Sequence, residues 1–397
     1  MTASRRAAGA PRTASPSTAR AINDRLALRL LQEHGPLTAG QLKAMTGLSR
    51  PTVADLVERL RDSGLIAVMG EAGAERRGPN ARLYGIVTDR AHLVGVDART
   101  DGVTVCVADL LGRVLVETAM PVAPDADPDR AVRGAVELVE RAVKEAGAVP
   151  PHTLAVGAPG LVDPATGELN SGTGLPPWHG RLAAALHSGF AAPVLLENEV
   201  NLAAVAEQRN GAARDRDTFV LLWLGEGVGA AVVLDGALRR GASGGAGEIG
   251  FLPVPGTGAL PSATDCGGGF QALVGGAAVR ELAGAHGWPT ADAEAAVRAA
   301  ATAGARGEPF LAAIAARVAI GAAAACAVLD PGRVVLGGEL GRAGGAELAR
   351  LVEARVAGMS PLRTEVRAGE LGGEAVLRGA VLTAMDAAQN DLFGAPV

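Results

Sequence analysis

Residues 195–207 read LLENEVNLAAVAE: a short apolar run, then Glu197-Asn198-Glu199-Val200-Asn201, then a helical pattern. Two carboxylates and two carboxamides set against a hydrophobic strand suit a site that grips polyols. The chemistry turns on Glu199, which either removes a proton from a bound hydroxyl or only holds the ligand. Two further stretches combine turn formers with carboxylates, AVGAPGLVDPATGEL (155–169) and GASGGAGEIG (241–250). Each candidate has a plainer reading. Asn198 could pin a strand-to-helix turn, Glu248 could be a solvated loop charge, and Pro159-Gly160 and Asp163-Pro164 could simply make turns.

Such residues need a scaffold to bring them together, and 397 residues suggest two or three domains. Hydrophobic residues make up 48% and aromatics only 3%, so the core must rest on Ala, Val and Leu. No stretch reads as long and clean enough to span a bilayer, and no membrane partner is expected. The basic start, MTASRRAAGAPRTASPSTAR, lacks the apolar segment of a secretory signal and reads as a disordered tail over 1–19. Cys106, Cys266 and Cys326 are few and widely spaced, which fits a reducing cytoplasm. Residues 1–90 hold 14 Lys+Arg against 8 Asp+Glu, a balance of +6, while the rest of the chain stands at −11. A basic head on an acidic body points to a polyanion partner for the head alone.

The head, residues 20–88, reads as a winged helix-turn-helix. Apolar residues recur at helical spacing from Ala21 to Leu31, and the chain breaks at His34-Gly35-Pro36. Thr38-Ala39-Gly40-Gln41 has the capping-box form, opening a short helix with Leu42 and Met45 on its inner side. A turn at Thr46-Gly47 follows, and Ser49 caps a third helix that turns Val53, Leu56, Val57 and Leu60 inward. Its polar side, with Ser49, Arg50, Thr52, Asp55 and Arg59, would face the major groove of double-stranded operator DNA. The runs LIAVMG and LYGIV form a two-stranded wing with Arg76 and Arg77 near its tip, placed for phosphates or the minor groove. The competing reading of this head is a small protein-binding helical domain with ordinary surface arginines.

The body alternates from Leu93 as LVGVDARTDGVTVCVADLLGRVL, and the form recurs 126 residues later as FVLLWLGEGVGAAVVLDGALRRG. Asp109 falls on Asp235, and Arg99 falls on Gly225. A repeated hairpin at this separation implies two similar α/β halves around a cleft.

With LPPWHG (175–180), ENEVN (197–201) and LDPGRVVLGG (329–338), the chain from about residue 20 to about 385 resembles the ROK family of repressors and sugar kinases, of the NagC/XylR regulator type. The resemblance implies an α/β fold: a winged helix-turn-helix followed by a two-lobed, actin-like (ribonuclease H-like duplicated) body over 89–397. Lobe one would take about 89–205 plus the C-terminal helix, and lobe two about 206–384. In the kinases a glycine-rich turn cradles the phosphates of ATP beside Mg²⁺. Here that turn is Asp97-Ala98-Arg99-Thr100-Asp101, and the second hairpin has Glu226 where the family has threonine. The added carboxylates, Asp101 and Glu226, are expected to repel ATP.

The same resemblance assigns ligand contacts to Asn198, Glu199, Glu248 and Gly160. Glu199 stands at the position of the catalytic Asp, one methylene longer, and reads as a vestigial base, leaving no catalytic residue. Phe251 replaces a histidine that binds zinc and sugar, and the zinc loop is reduced to Cys266-Gly267-Gly268-Gly269-Phe270-Gln271. One cysteine cannot supply four N/S ligands, so neither metal nor cofactor is expected. The expectation is a cytoplasmic DNA-binding regulator, a repressor, that senses a sugar or sugar derivative and assembles as a homodimer or homotetramer. The alternatives are an active ATP-dependent sugar kinase with a fused DNA-binding head, and a ligand-independent regulator whose body serves only assembly.

Overall fold

Short polar side chains punctuate the head. In the computed structural model, which describes residues 16–72, 81–123, 125–170, 178–262 and 267–394, Gln41 N donates to Thr38 Oγ1 at 3.2 Å and Thr38 N donates to Gln41 Oε1 at 2.9 Å. This reciprocal pair is the expected capping box. The described chain divides into two compact units. One comprises the chain to Ala91 with Asp109–Arg113 and the stretch from Asp386, and the other comprises His92–Ala108 and Val114–Met385.

The first unit contains α1 (Pro16–His34), β1 (Leu37–Thr38), α2 (Ala39–Thr46), α3 (Arg50–Asp62), β2 (Ile66–Ala72) and β3 (Ala81–Ile86). Helix α1 starts at Pro16, inside the stretch expected to be tail, because proline is well suited to a first helical turn. The strands pair in the order β1-β3-β2, giving the wing. Leu28, Leu31, Leu42, Leu56 and Leu60 fill its core. Met45, expected inside, is 42% exposed, since the eight-residue α2 buries only Leu42. Leu110 N donates to Thr88 O at 3.0 Å, Gln389 Nε2 to Leu110 O at 3.0 Å, and Arg25 Nη2 to Asn390 Oδ1 at 2.9 Å. These bonds tie two distant pieces of chain into the unit.

The second unit opens with β4 (His92–Ala98), β5 (Gly102–Asp109), β6 (Val114–Pro121), α4 (Pro128–Glu145), β7 (Thr153–Ala158), β8 (Leu161–Val162), β9 (Leu169–Asn170), α5 (Trp178–Gly189), β10 (Val194–Asn198) and α6 (Glu199–Asn210). It continues with β11 (Phe219–Leu224), β12 (Val228–Leu234), β13 (Ala237–Arg239), α7 (Gln271–Val274), α8 (Gly276–Ala285), α9 (Ala293–Thr302), α10 (Glu308–Leu329), β14 (Arg333–Gly337), α11 (Gly338–Met359), β15 (Glu365–Ala368) and α12 (Ala375–Phe393).

Its two five-stranded sheets run β10-β7-β4-β5-β6 and β15-β14-β11-β12-β13. In each, an antiparallel three-stranded meander is extended by two parallel strands. The repeat read from the sequence is thus an architectural one: β4 and β11 end at Ala98 and Leu224, 126 residues apart.

The chain crosses between the two lobes after α6 and again after β15. Both crossings are held by one buried carboxylate. Glu207 accepts Ala212 N at 2.7 Å, Glu370 N at 3.2 Å and Leu371 N at 3.0 Å. Gly211 and Gly369 flank it because a Cβ at either would press on that carboxylate. Helix α12 then packs on the first sheet through glycines. A Cβ on Gly95 would stand 2.7 Å from Val381, and one on Gly379 would meet the Leu202 backbone.

The expectation that no stretch could span a bilayer needs correction. Helix α10 is long and apolar enough by length and composition. Here it is a core helix: Phe310, Leu311, Ile314 and Val318 are buried, and Arg317 Nη1 donates to Leu273 O at 3.2 Å. Its apolarity serves packing within the second lobe.

Gly379→Ala should lower the melting temperature by several degrees, a loss of about 1–3 kcal/mol, because the clash is with backbone that cannot rotate away. Thermal denaturation of the variant beside the parent chain measures it.

Candidate functional site

In the head, Ser49 caps α3 as expected, accepting Thr52 N at 3.3 Å, with its hydroxyl 2.8 Å from Thr52 Oγ1. The two hydroxyls therefore share one bond at the mouth of the helix. Arg50, beside them, is exposed and makes no hydrogen bond or ion pair among the described residues. Arg59 is different. It bridges Asp24 of α1 at 2.5 Å and Asp55, so it braces the unit instead of facing outward with Arg50. Arg76 and Arg77 lie outside the described residues.

In the body, three sequence candidates meet through one carboxamide. Asn198 Oδ1 accepts Val200 N at 2.8 Å and Asn201 N at 3.3 Å, capping α6. Its Nδ2 donates to Gly160 O at 3.0 Å and to Glu199 Oε2 at 3.1 Å. Gly160 sits at φ 113, a backbone conformation that favours glycine. Asn198 therefore pins the turn and orients Glu199, and its own bonding capacity is largely used. Buried Glu197 anchors the stretch from behind, accepting Arg240 Nε at 2.6 Å and Asn201 Nδ2 at 2.8 Å.

Burial pushes the Glu199 carboxyl up to about 8, and the neighbouring charges of Asp97 and Glu248 act in the same direction. Crowding by protein atoms also raises Glu248, although it keeps contact with solvent. Asp97 at the end of β4 is raised by burial against the pull of Arg99, and its Oδ1 is buried without a hydrogen-bond partner among the described residues. A carboxyl raised this far can donate to a bound hydroxyl, and the shift by itself does not disqualify Glu199 as a base.

Between the two hairpin turns stands a pair of charges that the sequence reading missed. Arg99 Nε meets Asp97 at 2.9 Å, Nη1 meets Glu339 at 3.4 Å, and Nη2 donates to Gly373 O at 2.8 Å. Glu339, in the first turn of α11, also lies against Gly225 of the second hairpin, where a Cβ would collide with its carboxylate. Arg99 drew notice only as a lost glycine. Arg99 lies just past the end of β4, two residues beyond Asp97, and that i, i+2 spacing beside a carboxylate was the available signal.

Glu226 also departs from expectation. It is not a lone charge, because Arg280 of α8 pairs with it and Gln271 Nε2 holds its carbonyl at 2.8 Å. Gln271 Oε1 accepts Val228 N at 2.7 Å, so this residue braces the second hairpin turn. Cys266, the remaining cysteine of the degenerate zinc loop, lies outside the described residues. Phe251 is 40% exposed beside Gly250.

Residues 93–387 match the family described as the ROK family, almost three quarters of the chain. The chain belongs to the ROK family. Residues 22–77, within the winged unit, match the MarR family. The ROK chain is 26% identical over 235 residues to a xylose repressor of Caldicellulosiruptor bescii, covering 59% of each protein. It is 26% identical over 246 residues to the DNA-binding transcriptional dual regulator NagC of Escherichia coli, covering 59% of this chain and 57% of that protein. The chain thus spans less than two thirds of the length of these relatives.

A ROK family transcriptional regulator homologous to the E. coli MLC protein shares the fold at a TM-score of 0.77 and 20% identity, covering 94% of this chain and 98% of that one. The ROK hexokinase of Thermus thermophilus matches at 0.62 and 28%, covering 75% and 99%. The winged head and the duplicated α/β body are therefore the fold expected from the sequence.

A raised carboxyl lends stability at low pH that fades as pH climbs from its ordinary 4.5 toward 8. Glu199→Gln should remove this fade. At pH 8 the variant should exceed the parent by on the order of 2 kcal/mol, discounted for the solvent contact Glu199 keeps, and the two should converge near pH 4. Melting curves across this range test it.

Proposed function

We infer that this ROK-family chain is a DNA-binding transcriptional regulator, acting as a repressor, whose body senses a sugar or sugar derivative without phosphorylating it. The observation that carries the regulator reading is the winged unit, in which Ser49-capped α3 presents Arg50 unpaired at its exposed N-terminal end. An unpaired guanidinium there suits bidentate contact with a guanine edge in the major groove. The relatives named as repressors support the same assignment. Such a regulator works where chromosomal DNA is, in the cytoplasm, and a symmetric dimer would read a palindromic operator.

Arg99 and Glu339 stand in the way of phosphoryl transfer. A nucleotide's terminal phosphates would need the space between the hairpin turns, where this ion pair already sits. Effector binding would use Glu199 and Glu248, with Asn198 and Gly160 setting their frame. For the effector to move the head it must bind open and closed bodies with different affinity.

The rival is an active sugar kinase, favoured by the likeness to the Thermus hexokinase. An ATP-coupled assay over hexoses and amino sugars should give no turnover above background. Robust turnover that Glu199→Gln abolishes would establish the kinase instead. On a mapped operator, Arg50→Ala should weaken specific binding by about 1–3 kcal/mol and non-specific binding much less. Unchanged operator affinity in a gel-shift titration would place recognition elsewhere.

A further inference from the structure

The two lobe crossings that Glu207 pins also border a cavity of about 350 Å³ with no role in the reading above. Ala212, Arg214 and Asp215 of the first crossing line one side, and Arg367 and Glu370 of the second line the other, with Arg333 between them. Arg333 is fixed: its side chain is 6% exposed, and its guanidinium bonds Ala212 O at 2.8 Å, Glu365 at 2.6 Å and Asp215.

Charge at this cavity runs against that of the body. Of the residues lining it, Arg214, Arg333 and Arg367 stand against Asp215 and Glu370, an excess of one positive charge on an acidic body, while Arg216 and Glu365 pair with each other beside it. The carboxylates are unequally engaged. Glu365 takes Arg333, Arg216 at 3.1 Å and Arg367 at 2.8 Å, which holds its carboxyl down to about 2. Glu370 meets only Arg214, at 3.3 Å, with both side chains more than half exposed.

Arg214 and Arg367 each make one ion-pair contact through a single nitrogen, which leaves guanidinium donors over. A monocarboxylate entering here would merely stand in for Glu370. A phosphoryl group brings two charges and three acceptor oxygens, enough to engage both arginines while Glu370 swings to solvent. The space exceeds what phosphate alone would fill, leaving room for an organic body.

We propose that this cavity is a second binding site, for a small phosphomonoester, held by Arg214 and Arg367 above the fixed Arg333. It is separate from the Glu199 cleft and does not depend on the chain binding DNA. A ligand there would bridge both crossings and so bear on how the lobes move about Glu207.

Calorimetric titration of the full chain at constant ionic strength, with inorganic phosphate, ribose 5-phosphate and ribose, tests the assignment. Ribose 5-phosphate should bind saturably and more tightly than inorganic phosphate, and any binding of ribose, which the Glu199 cleft could supply, should be unchanged by substitutions in the cavity. The double variant Arg214→Ala with Arg367→Ala should lose about tenfold in affinity or more. If that variant fails to fold, Arg214→Gln alone, at a mostly exposed side chain, should still show severalfold loss. No saturable binding of ribose 5-phosphate, inorganic phosphate binding as tightly as the ester, ribose binding that the variants weaken equally, or undiminished affinity for the ester in the variants would each overturn the proposal.

Discussion

A single buried carboxylate sets the geometry on which the body depends. Glu207 gathers three backbone N–H groups from two crossings some 160 residues apart in sequence. Those N–H groups would otherwise be orphaned at a helix end and a strand end, where water cannot replace them cheaply. By satisfying them together, one side chain fixes where the second sheet leaves the first and where α12 returns. The placement of the two hairpin turns, and of the Arg99–Glu339 pair between them, follows from that junction.

Much of this architecture was legible because local rules and the global fold agree. Thr38 with Gln41, Ser49 with Thr52 and Asn198 with Val200 are caps whose partners lie two or three residues away, within reach of sequence reasoning. The 126-residue repeat was legible for a similar reason, since strands and tight turns leave a periodic mark. Arg59, Arg99 and Glu226 were misread because a long charged side chain reaches several ångströms in any direction. Its partner (Asp24, Glu339 or Arg280) is chosen by tertiary packing alone. Helix α10 was missed for a third reason: an alanine-rich core helix and a membrane span share one composition, and only burial among neighbours separates them.

Three carboxylates near the first hairpin and α6 share one electrostatic trend. Asp97, Glu199 and Glu248 are all raised by loss of hydration. Arg99, drawn between Asp97 and Glu339, supplies positive charge to both of those carboxylates.

Asn198 has a thermodynamic consequence of its own. With both amide hydrogens and the carbonyl oxygen already engaged, its rotamer is frozen before any effector arrives, and the rotamer of Glu199 is narrowed with it. The entropy of arranging the pocket is therefore lost during folding, not on association. A small uncharged effector with few groups to recognise can then attain useful affinity from a handful of contacts.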